Sequence, residues 1–149
     1  MRELIQWYDQ TDDNAAVQAS NLKKPNILWI YVEDISPHLG SDGEPLVHTP
    51  TLDEIASLGT KFTNTIMPAP VCSAGRSAMM TGMMQTTTGV HNHHSARTPE
   101  SAFYLPKEIK TLPELFKDAG YYTFNSGKDD YNFSYNREDL YEGDYAKHP

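Results

Sequence analysis

The sequence predicts an α/β fold in which a mostly parallel central sheet is flanked by helices. Residues 27–32 read Ile-Leu-Trp-Ile-Tyr-Val, an unbroken apolar run that is typical of a strand buried on both faces of a parallel sheet. Residues 49–59 and 111–120 carry the start and stop signals of helices, and residues 121–125 are again strand-like. Strand and helix signals that alternate along a chain indicate crossover units and therefore a parallel sheet.

The composition limits the classes of partner. The 149-residue chain is long enough for one domain with a core, and its formal net charge is −8. This acidity argues against nucleic acid or an anionic membrane surface as a partner, so an anion site must depend on locally clustered cations. We expect no membrane span, and residues 1–24 hold no signal-peptide core, which leaves the compartment undetermined. The single cysteine excludes an internal disulfide.

Two carboxylates follow the first predicted strand. Residues 1–24 are interpreted as a lead-in, and Glu33 and Asp34 come directly after the apolar run. Ligands of open α/β sheets bind at the carboxyl ends of the strands, and adjacent carboxylates there suit a hard cation such as Ca²⁺. On the spacing alone, a solvated acidic turn is an equally good interpretation.

The next segment has the signals of a helix followed by a short strand. Thr49 suits the N-cap, Pro50 the first helical position and Gly59 the stop. Residues 62–66 alternate in polarity, which predicts a strand.

A second helix is predicted to begin near Val71, because Pro68 and Pro70 forbid helix immediately upstream. It carries the single cysteine, Cys72, and Arg76 lies one turn later on the same face. Free backbone N–H groups at a helix N-terminus and a guanidinium fork together attract an anion such as a sulfate or phosphate ester. A buried cysteine beside a surface arginine explains the same spacing without function.

Polar residues also lie in the later part of the chain. The loop at residues 85–104 has no clear period and holds a histidine cluster whose spacing matches no zinc site, so pocket and solvated loop both stay open. Thr111 and Glu114 form a capping-box pattern, and Lys128 follows the strand-like residues 121–125. With right-handed crossovers, Lys128 would reach the sheet edge that carries the two carboxylates; an ordinary surface lysine is the alternative.

Residues 72–82, Cys-Ser-Ala-Gly-Arg-Ser-Ala-Met-Met-Thr-Gly, resemble the signature of the type I sulfatases. That signature is Cys, any residue, Pro or Ala, any residue and Arg, followed by a helix that closes in Thr-Gly; Ala74 and Gly75 stand where Pro and Ser are commoner. Residues 25–34 resemble the opening strand of the family with its metal-binding carboxylates. Residues 119–128 resemble the strand that leads to an active-site lysine.

The resemblance implies a sulfuric ester hydrolase with an alkaline phosphatase-type sandwich, incomplete in this chain. In the family, a sulfatase-maturation enzyme oxidises the cysteine to formylglycine, so Cys72 would become the nucleophile. Arg76 would fix its hydrate and Lys128 would hold the sulfate. Glu33, in place of the commoner aspartate, would bind part of the Ca²⁺ shell with Asp34 and the converted Cys72.

The resemblance further suggests that the loop after the signature helix lies near the pocket. His91 and His94 are therefore candidate substrate-binding residues. Asp130 joins them: it stands where the family has a histidine, so no histidine role is carried over to it. The substrate would be a sulfated small molecule or glycan.

The implied organisation is a lead-in at residues 1–24, the N-terminal part of a sulfatase catalytic domain at 25–133 and an unassigned tail at 134–149. Sulfatases are several times longer than this chain, so we expect the domain to continue and the missing C-terminal part to be a partner. The family is often periplasmic, secreted or lysosomal. The alternatives are a phosphoester or phosphonate monoester hydrolase of the same superfamily and a non-catalytic fragment that binds an anion or a metal.

Overall fold

The computed structural model describes residues 24–36, 38–96 and 98–143. The chain divides into two compact units, Met1–Ile35 and Ser36–Pro149. The predicted lead-in lies, apart from Lys24, outside the described residues. No helix in the described ranges is both long enough and apolar enough to span a membrane.

In the first unit, the predicted strand at residues 27–32 does not form: residues 24–33 are assigned neither helix nor strand. The apolar side chains are largely exposed, with Leu28 at 77% and Ile30 at 66%. A strand needs a neighbouring backbone to satisfy its N–H and C=O groups, and no described segment pairs with this run. The strand prediction is therefore wrong for the chain by itself, although the apolar pattern is present.

The helices of the second unit follow the sequence signals, with one exception. Among the described residues they are α1 (Pro50–Leu58), α2 (Cys72–Thr81), α3 (Leu112–Asp118) and α4 (Arg137–Leu140), with a 3-10 turn at Gly40–Asp42. The first three are confirmed predictions. Helix α4 lies in the part of the chain for which the sequence suggested no element.

The starts of α1 and α3 differ in how they are capped. Thr49 occupies the N-cap of α1, but its hydroxyl accepts from Gly40 N at 2.9 Å and donates to Asp53 Oδ1 at 3.0 Å, so it joins α1 to the 3-10 turn. At α3 the predicted capping box is present: Thr111 donates from both its backbone N and its Oγ1 to Glu114 Oε2, each at 2.7 Å.

Of the two remaining strand predictions, residues 62–66 and 121–125, only the second is met, and only by a single bridge. Residues 62–66 are not a strand, and residues 121–125 contribute one isolated parallel bridge, between Phe124 and Gly143. Two hydrogen bonds flank it, from Glu142 N to the Thr123 carbonyl at 2.9 Å and from Asn125 N to the Gly143 carbonyl at 3.4 Å. The predicted parallel sheet is thus not built within the described residues, because each strand-like segment lacks the neighbours that would complete a ladder.

The hydrophobic core packs against α2. Its buried members are Val90, Tyr131, Phe133 and Leu140, and Met80 of α2 packs against them. The core therefore ties α2, the loop that follows it and residues 131–140 into one body. These are the segments that carry the candidate site of the second unit.

Candidate active site

Cys72 is the first residue of α2 and is half-buried. The intrahelical ladder begins with Gly75 N, which donates to the Val71 carbonyl at 2.8 Å, and Val71 gives no side-chain cap. The first N–H groups of a helix have no acceptor within the helix and carry the positive end of its dipole. The thiol therefore lies where backbone polarity favours negative charge.

The turn before Cys72 packs closely on α2. A Cβ atom at Gly75 would lie 3.2 Å from the Ala69 carbonyl oxygen and 3.4 Å from Met67 Cε, and Ala69, Ala74 and Gly75 are all buried. Glycine at position 75 thus lets the incoming backbone approach the first turn of the helix. This contact fixes the direction from which the chain enters Cys72.

Arg76 joins α2 to a distant segment. Its Nη1 donates to the Lys128 carbonyl oxygen at 2.6 Å. The structure therefore brings the segment around Lys128 against the helix that begins with Cys72.

Lys128, Asp130 and His94 form a charged cluster. Asp130 Oδ1 lies 3.0 Å from His94 Nε2, and Asp130 Oδ2 lies 3.0 Å from Lys128 Nζ. The second contact is an ion pair. The Asp130 side chain is 5% exposed, whereas those of Lys128 and His94 are 46% and 44% exposed.

Ser73 attaches the loop after α2 to the first turn of the helix. Its Oγ lies 3.0 Å from His93 Nδ1 and accepts from His94 N at 3.2 Å. The two imidazole rings are stacked, with centroids 3.6 Å apart. Sequence reasoning missed Ser73, because its partners lie about 20 positions away in a loop without periodicity.

Asn132 is the second residue that sequence reasoning missed. It is fully buried; its backbone N donates to Ser77 Oγ at 2.8 Å, and its side-chain Oδ1 accepts from Ala96 N at 3.1 Å. Its Nδ2 donates to the Val90 carbonyl at 3.3 Å and to Ser95 Oγ at 2.9 Å. Asn132 thus joins the loop after α2, through its side chain, to α2 itself, through its backbone N.

The carboxylate next to Asp130 faces a different set of groups. Asp129 accepts from Arg137 Nε at 2.8 Å and from Tyr135 OH at 3.2 Å, and the hydroxyls of Tyr131 and Tyr141 are hydrogen-bonded to each other. Burial raises the pKa of each of these three tyrosines above its ordinary value. Asp129 therefore contacts Tyr135 and Arg137, whereas Asp130 belongs to the cluster beside α2.

Three non-glycine residues of the described ranges have positive φ: Asp34 at 56°, His94 at 54° and Asp130 at 53°. All three are residues that the sequence singled out for metal or substrate binding. The left-handed region is uncommon for residues with a Cβ, and such strain is concentrated at functional sites. Their roles in metal or substrate binding stay predictions.

One predicted site residue of the second unit, His91, lies outside this cluster. His91 is exposed and makes no hydrogen bond to the described residues. Glu33 and Asp34 belong to the first unit. Within the ranges that the structure describes, no group of three or more His, Cys, Asp or Glu residues is arranged to hold a metal ion. Two carboxylates offer the oxygen ligands that Ca²⁺ prefers but only part of its shell of six to eight.

Comparison with known proteins gives consistent results. Residues 25–147 match the family model described as Sulfatase. The chain is 34% identical over 131 residues to a sulfatase of Formosa agariphila, a match that covers 84% of this chain and 25% of that protein. It is 34% identical to mouse iduronate 2-sulfatase, over 78% of this chain and 20% of that protein. Against bovine arylsulfatase A the identity is 36%, over 70% of this chain and 20% of that protein.

A solved structure is also similar. It is a protein of Bacteroides thetaiotaomicron VPI-5482 described as a candidate sulfatase, with a TM-score of 0.53 and 30% identity over 64% of this chain and 21% of the other. The chain thus spans a quarter or less of the length of these proteins.

Proposed function

The chain belongs to the sulfatase family, and on that premise we propose that it supplies the nucleophile and the anion-binding cations of a sulfuric ester hydrolase. The single observation that carries the proposal is the start of α2: Cys72 opens the helix, and Arg76, one turn later, holds the segment of Lys128. The substrate would be a sulfated small molecule or glycan. An alkaline phosphatase-type sandwich, with a mostly parallel sheet, is part of the proposal.

The proposed nucleophile is the hydrate of formylglycine at position 72. A maturation enzyme would replace the C–S bond of Cys72 by a C=O bond, using an oxidant of its own, and water would add to give two hydroxyls on one carbon. One hydroxyl attacks sulfur, the S–O bond to the alcohol breaks, and the proton leaves with the alcohol. The second hydroxyl then loses its proton, C=O forms again, and the C–O bond to sulfate breaks.

Fixed cations beside the nucleophile would stabilise this reaction. Negative charge spreads over the sulfuryl oxygens as the S–O bond breaks, and preorganised donors stabilise it most when they need not move. Arg76 and Lys128 are the cations that we assign to this role, and α2 adds its N-terminal N–H groups. His91, His94 and Asp130 are assigned to the substrate side of the pocket.

Calcium is the metal that we propose. The carboxylates of Glu33 and Asp34 and the hydrate at position 72 would hold part of its shell. When bound, the ion would act as a Lewis acid on a sulfuryl oxygen. The donor chemistry of two adjacent carboxylates fits a hard cation, and the shell requires further oxygens beyond these side chains.

Conversion of Cys72 can be tested directly on this chain. After co-expression with a sulfatase-maturation enzyme, we expect the peptide that contains position 72 to be about 18 Da lighter than the thiol form. The Cys72→Ser variant is the matched control and should keep its mass. An unconverted thiol, in cells where a known sulfatase is converted, would contradict the proposal.

The choice of sulfate over phosphate needs its own measurement, because the same cations attract either tetrahedral anion. We expect the isolated chain to be inactive, so the rates are measured on the converted, full-length protein, in which an aryl sulfate should be hydrolysed faster than the matching aryl phosphate. A faster phosphate reaction would reassign the protein to phosphoester or phosphonate hydrolysis. Full conversion without turnover of either ester would favour the binding-module alternative.

A further inference from the structure

Asp130 carries a buried carboxyl group that lies against two half-exposed basic side chains, those of His94 and Lys128. Its side chain is 5% exposed and has one oxygen 3.0 Å from His94 Nε2 and the other 3.0 Å from Lys128 Nζ. An ionised carboxylate can only accept a hydrogen bond, so the contact with His94 requires a proton on Nε2. A ligand that approaches this cluster from solvent would therefore meet the imidazole and the ammonium before it meets the carboxylate.

The backbone conformation and the contacts with α2 fix the positions of His94 and Asp130. His94 and Asp130 each have a left-handed φ, of 54° and 53°. His94 is tied to α2 directly, because its backbone N donates to Ser73 Oγ at 3.2 Å. The segment that carries Asp130 is tied to α2 two residues earlier, where the Lys128 carbonyl accepts from Arg76. Strained residues persist only where the surroundings determine their conformation, so we interpret this as a built cluster.

We infer that Asp130 is a positioning residue, which holds His94 and Lys128 beside the first turns of α2 and does not itself contact the substrate. This inference rests on the proposed function, in which that turn receives a sulfate group. It changes the role that the sequence suggested for Asp130, from substrate contact to support. The geometry assigns the ligand-facing surface to the imidazole and the ammonium.

If Asp130 acts only through its charge, replacing it with asparagine should raise the affinity of the cluster for an anion. Its carboxylate partly cancels the field of the neighbouring cations, so removing the charge would strengthen the binding of an anion. Loss of a residue that orients the imidazole and the ammonium would instead weaken binding, even though a negative charge is removed from the cluster. The direction of the change therefore distinguishes the two roles.

The test compares Asp130→Asn and His94→Asn, alone and together, with Asp118→Asn in the chain. Asparagine tolerates the left-handed region well, so both site variants keep their backbone preference. Asp118 is a matched control, because it forms an exposed ion pair with Lys110 outside the cluster. Inorganic sulfate is the probe, titrated by NMR, and the imidazole ¹⁵N signals of His94 report which ring nitrogen carries the proton.

We expect a proton on Nε2 of His94 in the unsubstituted chain, and a changed imidazole signal in Asp130→Asn. Sulfate affinity should fall on the order of tenfold in Asp130→Asn and stay unchanged in Asp118→Asn. The double variant should bind about as weakly as Asp130→Asn alone, because His94 contributes to binding only while Asp130 orients it.

Three results would overturn the inference: a proton on Nδ1 alone in His94, a sulfate affinity that stays equal or rises in Asp130→Asn, or no saturable sulfate binding by the unsubstituted chain. None of these readouts depends on formylglycine or on turnover. Failure of the proposed function would instead appear in the mass of the position-72 peptide and in the rates on the two esters.

Discussion

Replacing Asn132 with alanine should destabilise the second unit strongly, because one buried side chain satisfies several backbone groups. The substitution removes the hydrogen bond from Ala96 N at 3.1 Å and those to the Val90 carbonyl at 3.3 Å, the Asn92 carbonyl and Ser95 Oγ at 2.9 Å. Val90 and Ala96 are buried, at 0% and 7% exposure, so water cannot replace the lost partner there. Asn92 and Ser95 are exposed and can be rehydrated.

The expected loss of stability comes from the Ala96 N–H and the Val90 carbonyl, which remain shielded from water after the substitution. A buried donor or acceptor left without a partner costs about 1–3 kcal/mol. For two such groups we expect a loss of about 3 kcal/mol, equivalent to about a 100-fold change in the folding equilibrium. Urea titration should show a lower midpoint with an unchanged slope, and the Ala96 amide should lose its protection from hydrogen exchange.

The matched control is Asn92→Ala, which removes an exposed amide from the same loop while leaving its backbone carbonyl in place. Its stability should stay within about 0.5 kcal/mol of the unsubstituted chain. The reasoning is refuted if Asn132→Ala also stays within that margin, or if the Ala96 amide keeps its protection in that variant.

Two further predictions concern the packing around the site. Thr111→Ala removes one of the two donors to Glu114 in the capping box and should lower the free energy of unfolding by about 1 kcal/mol, measured by thermal or urea unfolding. The control is Thr51→Ala, which changes an exposed threonine. Equal effects of the two substitutions would contradict the capping argument. Burial raises the pKa of Tyr131 above the ordinary value of 10.0, so the folded state retains its proton where the unfolded state loses it. Stability should be intact below pH 10.0 and fall as the pH rises above it, with phenolate absorbance appearing together with unfolding. Tyr131→Phe should shift that transition to higher pH, and titration of the buried tyrosines at their ordinary pKa in the folded chain would disprove the reasoning.

The helices could be predicted because their signals are local. The proline at the start of α1 and the capping box of α3 act within one turn, so they form without help from distant segments. The strand-like run at residues 27–32 is different, since its hydrogen bonds would have to come from other segments. The sequence therefore shows that residues 27–32 are apolar and strand-like. It does not show whether another segment supplies the hydrogen bonds that would make them a strand.

The same distinction applies to the candidate site. Cys72 and Arg76 are one turn apart on any helix, so their spacing sufficed to predict a shared face. The Arg76–Lys128 contact joins residues 52 positions apart, and the Asn132–Ser77 bond joins residues 55 apart. Such contacts depend on how loops close, which no period in the sequence encodes.

The uncovered run at residues 27–32 has a practical consequence for work with this chain. Six consecutive residues of high β propensity, from Ile27 at 56% to Val32 at 54% exposure, form the kind of segment that stacks into cross-β fibrils. Lys24 precedes the run, and Glu33 and Asp34 follow it, so charged gatekeepers flank it at both ends. We therefore expect solutions that neutralise or screen those charges to promote association through this segment, and dilute, low-salt buffers near neutral pH to keep the chain dispersed.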